Sequence, residues 1–174
     1  MNILVLNGSP RPNGNTAAMV KAFAEGAAKA GHTLNVIDVC KMKIGGCLGC
    51  EYCHTKGNGQ CVQKDDMQEV YAALKETDML VLASPIYYHN ISGQLKCVID
   101  RFYAAAYPHK PVKLKKVAMF LSSGDRNMYD GALFSYRGDF LDYLGLDDMG
   151  VFTAHGSVSP AKLTELRAFG EGLE

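Results

Sequence analysis

The chain lacks most features that would assign it at a glance. It has no charge of one sign: 18 lysines and arginines balance 18 aspartates and glutamates, whereas a dedicated nucleic-acid binder is usually strongly basic. It has no apolar run near the roughly 18 residues of a membrane span. Its opening, MNILVLNGSP, has no basic n-region and only a short apolar run, so no secretory signal is expected and a cytoplasmic protein is. Gly-Lys-Ser/Thr is absent, which excludes a Walker A loop, and G-x-G-x-x-G is absent, which removes the common dinucleotide fingerprint. No cysteine has an arginine six positions on, as small α/β phosphatases require. No serine sits in G-x-S-x-G, so there is no nucleophile elbow. Internal repeats, low-complexity tracts and linkers are also missing. The 174 residues therefore read as one domain, long enough to bury roughly 70% of the surface of the unfolded chain.

Alternating strands and helices are what the sequence does contain. Asn2 to Leu6 is short, apolar and β-branched, and it ends at Asn-Gly-Ser-Pro, as a buried strand would. Asn15 to Ala30 has helical spacing at Met19, Phe23, Ala27 and Ala30, with Asn15 or Thr16 as caps and Gly31 as the stop. Thr33 to Val39 is the second strand. Asp65 to Thr77 returns to helix, with Asp66 and Glu69 at capping-box spacing. Asp78 to Ala83 is the third strand, cut off at Ser84-Pro85. Gly93 to Ala106 is a helix with one apolar stripe. Lys116 to Leu121, Asp130 to Leu144, Met149 to Ala154 and Pro160 to the end complete the pattern as strand, helix, strand and helix. This order implies a doubly wound five-stranded parallel sheet in a three-layer α/β/α sandwich. Ligands of such sheets sit outside the carboxyl ends of the strands, at the switch point.

Three loops meet there. Asn7 to Thr16 joins a strand to a helix amino end, where free N–H groups and the helix dipole favour an anion. Ser9, Asn15 and Thr16 could add donors and Arg11 could neutralise a phosphate; an ordinary Asn-Gly-Pro turn is the plain alternative. Ser84 to Asn90 carries two adjacent tyrosines, and flat ligands favour such walls. Ser122 to Asp125 is small and polar, suited to a ring edge or to a plain turn. The basic stretch Pro108 to Lys116 reads as a solvated connection. His89 and His155 read as exposed loop histidines.

With Gly8-Ser9-Pro10-Arg11, Gly14-Asn15-Thr16, Ser84-Pro85-Ile86-Tyr87, Gly93-Gln94-Leu95-Lys96 and Asp100-Arg101 in place, the chain resembles the NADPH-dependent FMN reductase family of the flavodoxin-like fold. Its compact cysteine motif is most similar to the iron–sulfur flavoprotein branch. The resemblance implies FMN as cofactor and NADH or NADPH as co-substrate. It implies Ser9, Arg11, Asn13, Asn15 and Thr16 on the phosphate, Pro85, Ile86, Tyr87, Tyr88 and Asn90 along the isoalloxazine, and Ser123, Gly124 and Asp125 at its far edge. It implies transfer of electrons to a quinone, flavin, metal ion or other small acceptor, with no general base. It also implies a homodimer or homotetramer meeting near the flavin; the segment Tyr103 to Lys110 reads as one contributor or as a helix end followed by a solvated loop. The alternative is an electron carrier between a ferredoxin-like protein and FMN.

Six cysteines in such a chain need an explanation other than a secreted disulfide framework. Cys47, Cys50, Cys53 and Cys61 fall in a Gly- and Cys-rich loop at 40–64, and compact cysteine runs of this kind can hold a [4Fe–4S] cluster. In the iron–sulfur flavoproteins that the chain resembles, the matching four are the ligands. Zinc is a second occupant, with His54 able to replace Cys53. Four reduced thiols over the flavin are the third reading. Cys40 and Cys97 fall outside the spacing and read as structural.

Overall fold

The computed structural model describes residues 1–174. Its strands are β1 (Asn2–Asn7), β2 (Thr33–Asp38), β3 (Met79–Tyr87), β4 (Asn90–Ile91), β5 (Lys116–Ser123) and β6 (Asp147–His155). Five of them form a parallel sheet in the order β2-β1-β3-β5-β6. The two-residue β4 folds back antiparallel on the end of β3, pairing Ile86 with Ile91 and Tyr87 with Asn90. The helices are α1 (Asn15–Lys29), α2 (Met67–Lys75), α3 (Gly93–Asp100), α4 (Tyr103–Ala106), α5 (Asp130–Ser135) and α6 (Pro160–Glu171). None is long and apolar enough to cross a membrane.

Alternation along the strands divides the core into two layers, as a sheet covered on both faces requires. Leu4, Leu6, Leu80, Leu82, Val117 and Met119 face Val70 and Leu74 of α2, Leu95 and Val98 of α3, and Tyr136 and Phe140. Ile3, Val5, Met79, Val81, Ala118 and Phe120 face Met19, Phe23 and Ala27 of α1 and Leu166 of α6. On that second face α1 and α6 cross at glycines. A Cβ on Gly26 would stand 2.0 Å from the Arg167 carbonyl oxygen, and one on Gly170 would stand 2.5 Å from that of Phe23. Only glycine permits that approach.

Four local expectations differ from the structure. The strand expected to stop at Ala83 runs on to Tyr87, with Pro85 opposite Ser122 of β5. The helix expected over 93–106 breaks into α3 and α4 at Arg101 and Phe102, whose N–H groups bond three residues back, to the carbonyls of Val98 and Ile99. The helix expected over 130–144 is α-helical only to Ser135 and then π-helical from Tyr136 to Tyr143. Tyr136 anchors this segment by donating to the Val117 carbonyl at 3.0 Å and to Asp148 Oδ1 at 2.6 Å. Finally, neither expected helix cap forms. Asp66 accepts from the Lys43 N–H at 2.7 Å instead of capping α2, and the start of α1 has no side-chain cap.

Candidate functional site: a polar cleft and a cysteine crevice

The carboxyl ends of β1, β3 and β5 open on a cleft of about 160 Å³. Ser9, Arg11, Gly14, Asn15 and Thr16 wall it from the first loop, Pro85, Ile86 and Tyr87 from the second, and Ser122, Ser123 and Gly124 from the third. A larger surface hollow, about 490 Å³, lies elsewhere, between Ala106–Val112 and Tyr143. None of the three loops reaches it.

Local hydrogen bonds set the first loop. The Ser9 N–H donates to Asn7 Oδ1 at 3.1 Å, the Arg11 N–H to Ser9 Oγ at 3.3 Å, and the Gly14 N–H to the Arg11 carbonyl at 3.1 Å. Asn7 in turn donates to Asp38 at 2.9 Å. The Lys41 ammonium beside Asp38 holds that carboxyl below its ordinary range against the opposing effect of burial. The Cys40 thiol donates to the Ser9 carbonyl at 2.9 Å, and burial pushes it up.

Helix α1 then begins with Gly14 as N-cap, no capping side chain and no acid in its first turn. The side chains expected to cap it act elsewhere. Asn15 Nδ2 donates to the Gly156 carbonyl and Asn15 Oδ1 accepts from the Val158 N–H at 3.1 Å. Buried Thr16 pairs its hydroxyl with that of Ser122 at 2.8 Å. The amino end of α1 thus has no side-chain cap, and its residues Gly14, Asn15 and Thr16 line the cleft; an anion at a helix amino end uses such free N–H groups.

The second loop is a two-residue hairpin. Tyr88 and His89 have φ of 49° and 64°, the left-handed pair that a tight hairpin turn demands. Non-glycine residues rarely adopt it, and such strain clusters at functional sites. The tip rests on α5, where a Cβ on Gly131 would stand 2.5 Å from the His89 carbonyl oxygen. Tyr87 lines the cleft while Tyr88 points fully into solvent. Asn90 accepts from the Ile91 N–H at 2.8 Å and Asp125 from the Arg126 N–H at 2.7 Å. Asn13, Tyr88, Asn90 and Asp125 are therefore outside the cleft wall, whereas the other expected residues form it.

Two features were not foreseen. Gly156, after β6, lines the cleft; the rule that ligands gather at strand carboxyl ends applies to β6 as well. Arg126 Nε donates to His155 Nε2 at 3.0 Å and ties the loops after β5 and β6 together. No sequence pattern announces that pair.

The four clustered cysteines share one wall. Cys47, Cys50, Cys53 and Cys61 line a crevice of about 20 Å³ with Tyr71, Arg101 and Tyr103. Burial pushes the Cys53 thiol up, and Cys61, Glu51 and Cys47 add to the shift. No three histidine, cysteine or acidic side chains are gathered closely enough to hold a metal ion. By donor type the set still fits an iron–sulfur cluster, since four cysteines line one crevice and Cys₄ is the usual ligation. His54 is not among them. Its Nε2 donates to the Tyr103 carbonyl at 2.9 Å, and its ring packs edge-on against Tyr103 and Tyr107 at 4.3 and 5.0 Å. Tyr103 donates to Glu51, which pushes the phenol up to about 12.

Comparison with known proteins places this geometry. An iron–sulfur flavoprotein of Archaeoglobus fulgidus is 38% identical over 111 residues, 64% of this chain and 49% of that protein. The chain spans about half to two thirds of the length of the iron–sulfur flavoproteins it matches. Among solved structures, an NAD(P)H:quinone oxidoreductase from Methanothermobacter marburgensis superposes with a TM-score of 0.81 at 21% identity, covering 100% of this chain and 96% of that one. An FMN-dependent NADH-azoreductase from Bacillus anthracis, in complex with FMN, gives 0.72 at 17% identity, with 98% and 96% covered. These likenesses establish the flavodoxin-like fold. The family model described as NADPH-dependent FMN reductase matches residues 1–157, nearly the whole chain and both of its sites, and the chain belongs to that family.

Proposed function

We propose that the protein is an FMN-dependent NAD(P)H oxidoreductase that passes electrons to a quinone, a flavin, a metal ion or another small acceptor. The observation that carries this reading is the uncapped amino end of α1 opening on a polar cleft. The family match over residues 1–157 supports it.

Bound FMN would accept hydride from a nicotinamide and release electrons in pairs or singly. The residues of the chain supply binding and electrostatics. Arg11 and the first-turn N–H groups of α1 would neutralise the phosphate, with Ser9 and Thr16 at its edge. Ile86 and Tyr87 would give the ring an apolar wall. Backbone N–H groups of the 86–90 and 123–125 loops would stabilise the negative charge that reduction places on the ring, and preset donors need no reorganisation there. The hydroxyl of Ser123 lies between the Asp125 carbonyl and the Tyr129 hydroxyl, 2.8 Å from the latter, and links the third loop to Tyr129. No general base is assigned, because hydride transfer needs none.

A [4Fe–4S] cluster on Cys47, Cys50, Cys53 and Cys61 completes the reading, supported by the shared crevice and by the names of the relatives. It would let the protein exchange single electrons with a ferredoxin-like partner. Exposed Tyr88 and Phe134, at 103% and 80%, favour a homo-oligomer whose subunits meet near the hairpin and cover the ring. Titrating FMN by quenching of its fluorescence should give one FMN per chain. Anaerobically purified protein should carry about four irons and four sulfides. Lack of saturable FMN binding overturns the reductase reading, and iron-free protein that turns over normally removes the cluster alone.

A further inference from the structure

The cysteine-bearing loop runs from Gly45 to Asp65, and one buried side chain closes its neck. Arg101 follows α3 and is 1% exposed. Its Nη1 donates to Asp65 Oδ2 at 2.8 Å and to the Gly45 carbonyl at 2.9 Å, and its Nη2 donates to Asp65 Oδ1 at 3.0 Å. Asp65 also accepts from the Gly45 N–H at 3.0 Å, so both ends of the loop meet at one guanidinium. The Gln63 side chain adds a bond to the Gly46 carbonyl at 3.0 Å.

Two of the three guanidinium nitrogens are thereby used, and Nε is not. It is the one buried side-chain nitrogen or oxygen in the protein without a hydrogen-bond partner. An unmade bond on a buried charged donor is costly, and natural structures rarely keep one without a reason. Arg101 belongs to the wall of the crevice lined by the four cysteines, next to Cys61 and Tyr71. Tyr71 donates its hydroxyl to the Arg101 carbonyl at 3.0 Å and makes no hydrogen bond to Nε. The acceptors the crevice offers in number are sulfur atoms. A neutral thiol accepts weakly, whereas a thiolate or a bridging sulfide accepts well from a cation.

We propose that Arg101 is the positioning and charge-setting residue of the cysteine site: its Nη atoms fix the loop neck, and its Nε–H donates to anionic sulfur when the site is loaded. This rests on the cluster reading above. Hydrogen bonds to cluster sulfurs and nearby positive charge favour the more negative, reduced state and raise the reduction potential. Arg101 therefore tunes the one-electron step, and Asp65, by offsetting its charge, limits the effect.

The test measures the cluster midpoint potential, by anaerobic titration followed by electron paramagnetic resonance, in wild type, Arg101→Lys and Asp65→Asn. Arg101→Lys retains a positive charge and lacks the Nε donor. Its midpoint should fall by about 59 mV, a tenfold change in the one-electron equilibrium. Asp65→Asn leaves the guanidinium uncompensated, and its midpoint should rise. A neck with only a structural role would move both variants in the same direction or neither, and either result overturns the proposal. FMN affinity, a property of the separate cleft, should stay at the wild-type value in both and reports folding. If Arg101→Lys fails that control, the rise in Asp65→Asn decides the matter. Wild type that takes up no iron and sulfide on reconstitution defeats the cluster reading and this proposal with it. Loaded variants with an unchanged midpoint defeat the proposal alone.

Discussion

The polar cleft is walled by the ends of β1, β3 and β5, whose paired backbones fix its shape. The cysteine crevice hangs on a loop with two single 3₁₀ turns near it, Val39–Lys41 and Tyr52–His54, and is tied at its neck by Arg101 and Asp65. In the first site the fold's own hydrogen bonds set the loop that lines it. In the second, four thiols share a wall without being gathered. Sheet-end sites inherit order from hydrogen bonds made for the fold, whereas a loop site must be ordered by its occupant or by a dedicated clamp. The two should therefore respond differently to substitution.

Asp65→Ala is the most severe way to break this contrast. It strands a buried guanidinium, and removing one partner of a buried pair costs about 3–5 kcal/mol. Urea unfolding should show a loss near the lower end of that range, because Asp65 is only partly buried, while FMN affinity in the folded protein stays within about twofold. An equal loss of FMN affinity would mean that the two sites are one unit.

Arg11→Ala attacks the cleft alone. A hydrogen bond to a charged group contributes about 1.5–3 kcal/mol, so FMN should bind roughly tenfold to somewhat over a hundredfold more weakly. The midpoint of the cluster should not move. Unchanged FMN affinity would place the phosphate elsewhere.

Acid should separate the sites further. The Arg101 guanidinium beside Asp65 holds that carboxyl below its ordinary value of 3.8, against the opposing effect of burial. A carboxyl depressed in the folded state contributes stability that is fully present above its unfolded value, about 3.9, and is lost as pH falls through the folded value. The stability difference between wild type and Asp65→Asn should be constant from neutral pH down to about 5 and shrink below about 4. A difference that persists at pH 2 would show that packing, rather than charge, holds the neck.

Thr16→Val sharpens the comparison at smaller scale. It removes one of two paired buried hydroxyls and leaves Ser122 without its partner, at about 1–2 kcal/mol. Smallest is Cys47→Ser. Cys47 is exposed, so stability should change by less than about 0.5 kcal/mol, although iron content should fall sharply.

The central strands of the sheet were legible because they are buried on both faces and read as short β-branched and apolar runs; Ile3 to Leu6 and Leu80 to Leu82 are nearly inaccessible. The cleft was legible because its loops follow strands at one edge. What escaped the sequence depends on partners far along the chain. Asn15 is drawn from capping by Gly156, Thr16 by Ser122, and Asp66 by Lys43. The break between α3 and α4 falls at Arg101, whose side chain pairs with Asp65 far along the chain, and helical spacing encodes neither. Strand β3 passes through Pro85 because that position keeps its place opposite Ser122, although proline normally marks a strand's end. The π-helical turn after Ser135 answers to Tyr136 reaching Val117 and Asp148, while the apolar pattern of Leu133, Phe140 and Leu144 suits an ordinary helix equally well.

The central claim is that the cleft is a working flavin site fed by a nicotinamide. Anaerobic stopped-flow mixing of FMN-loaded protein with NADPH, and separately with NADH, tests it most directly. With at least one of them the flavin absorbance should bleach faster than about 0.1 per second, within the range of ordinary enzyme turnover, and Arg11→Ala should require more FMN to reach the same amplitude. Bound flavin that neither nicotinamide bleaches at that rate would contradict the account and leave an electron carrier in its place.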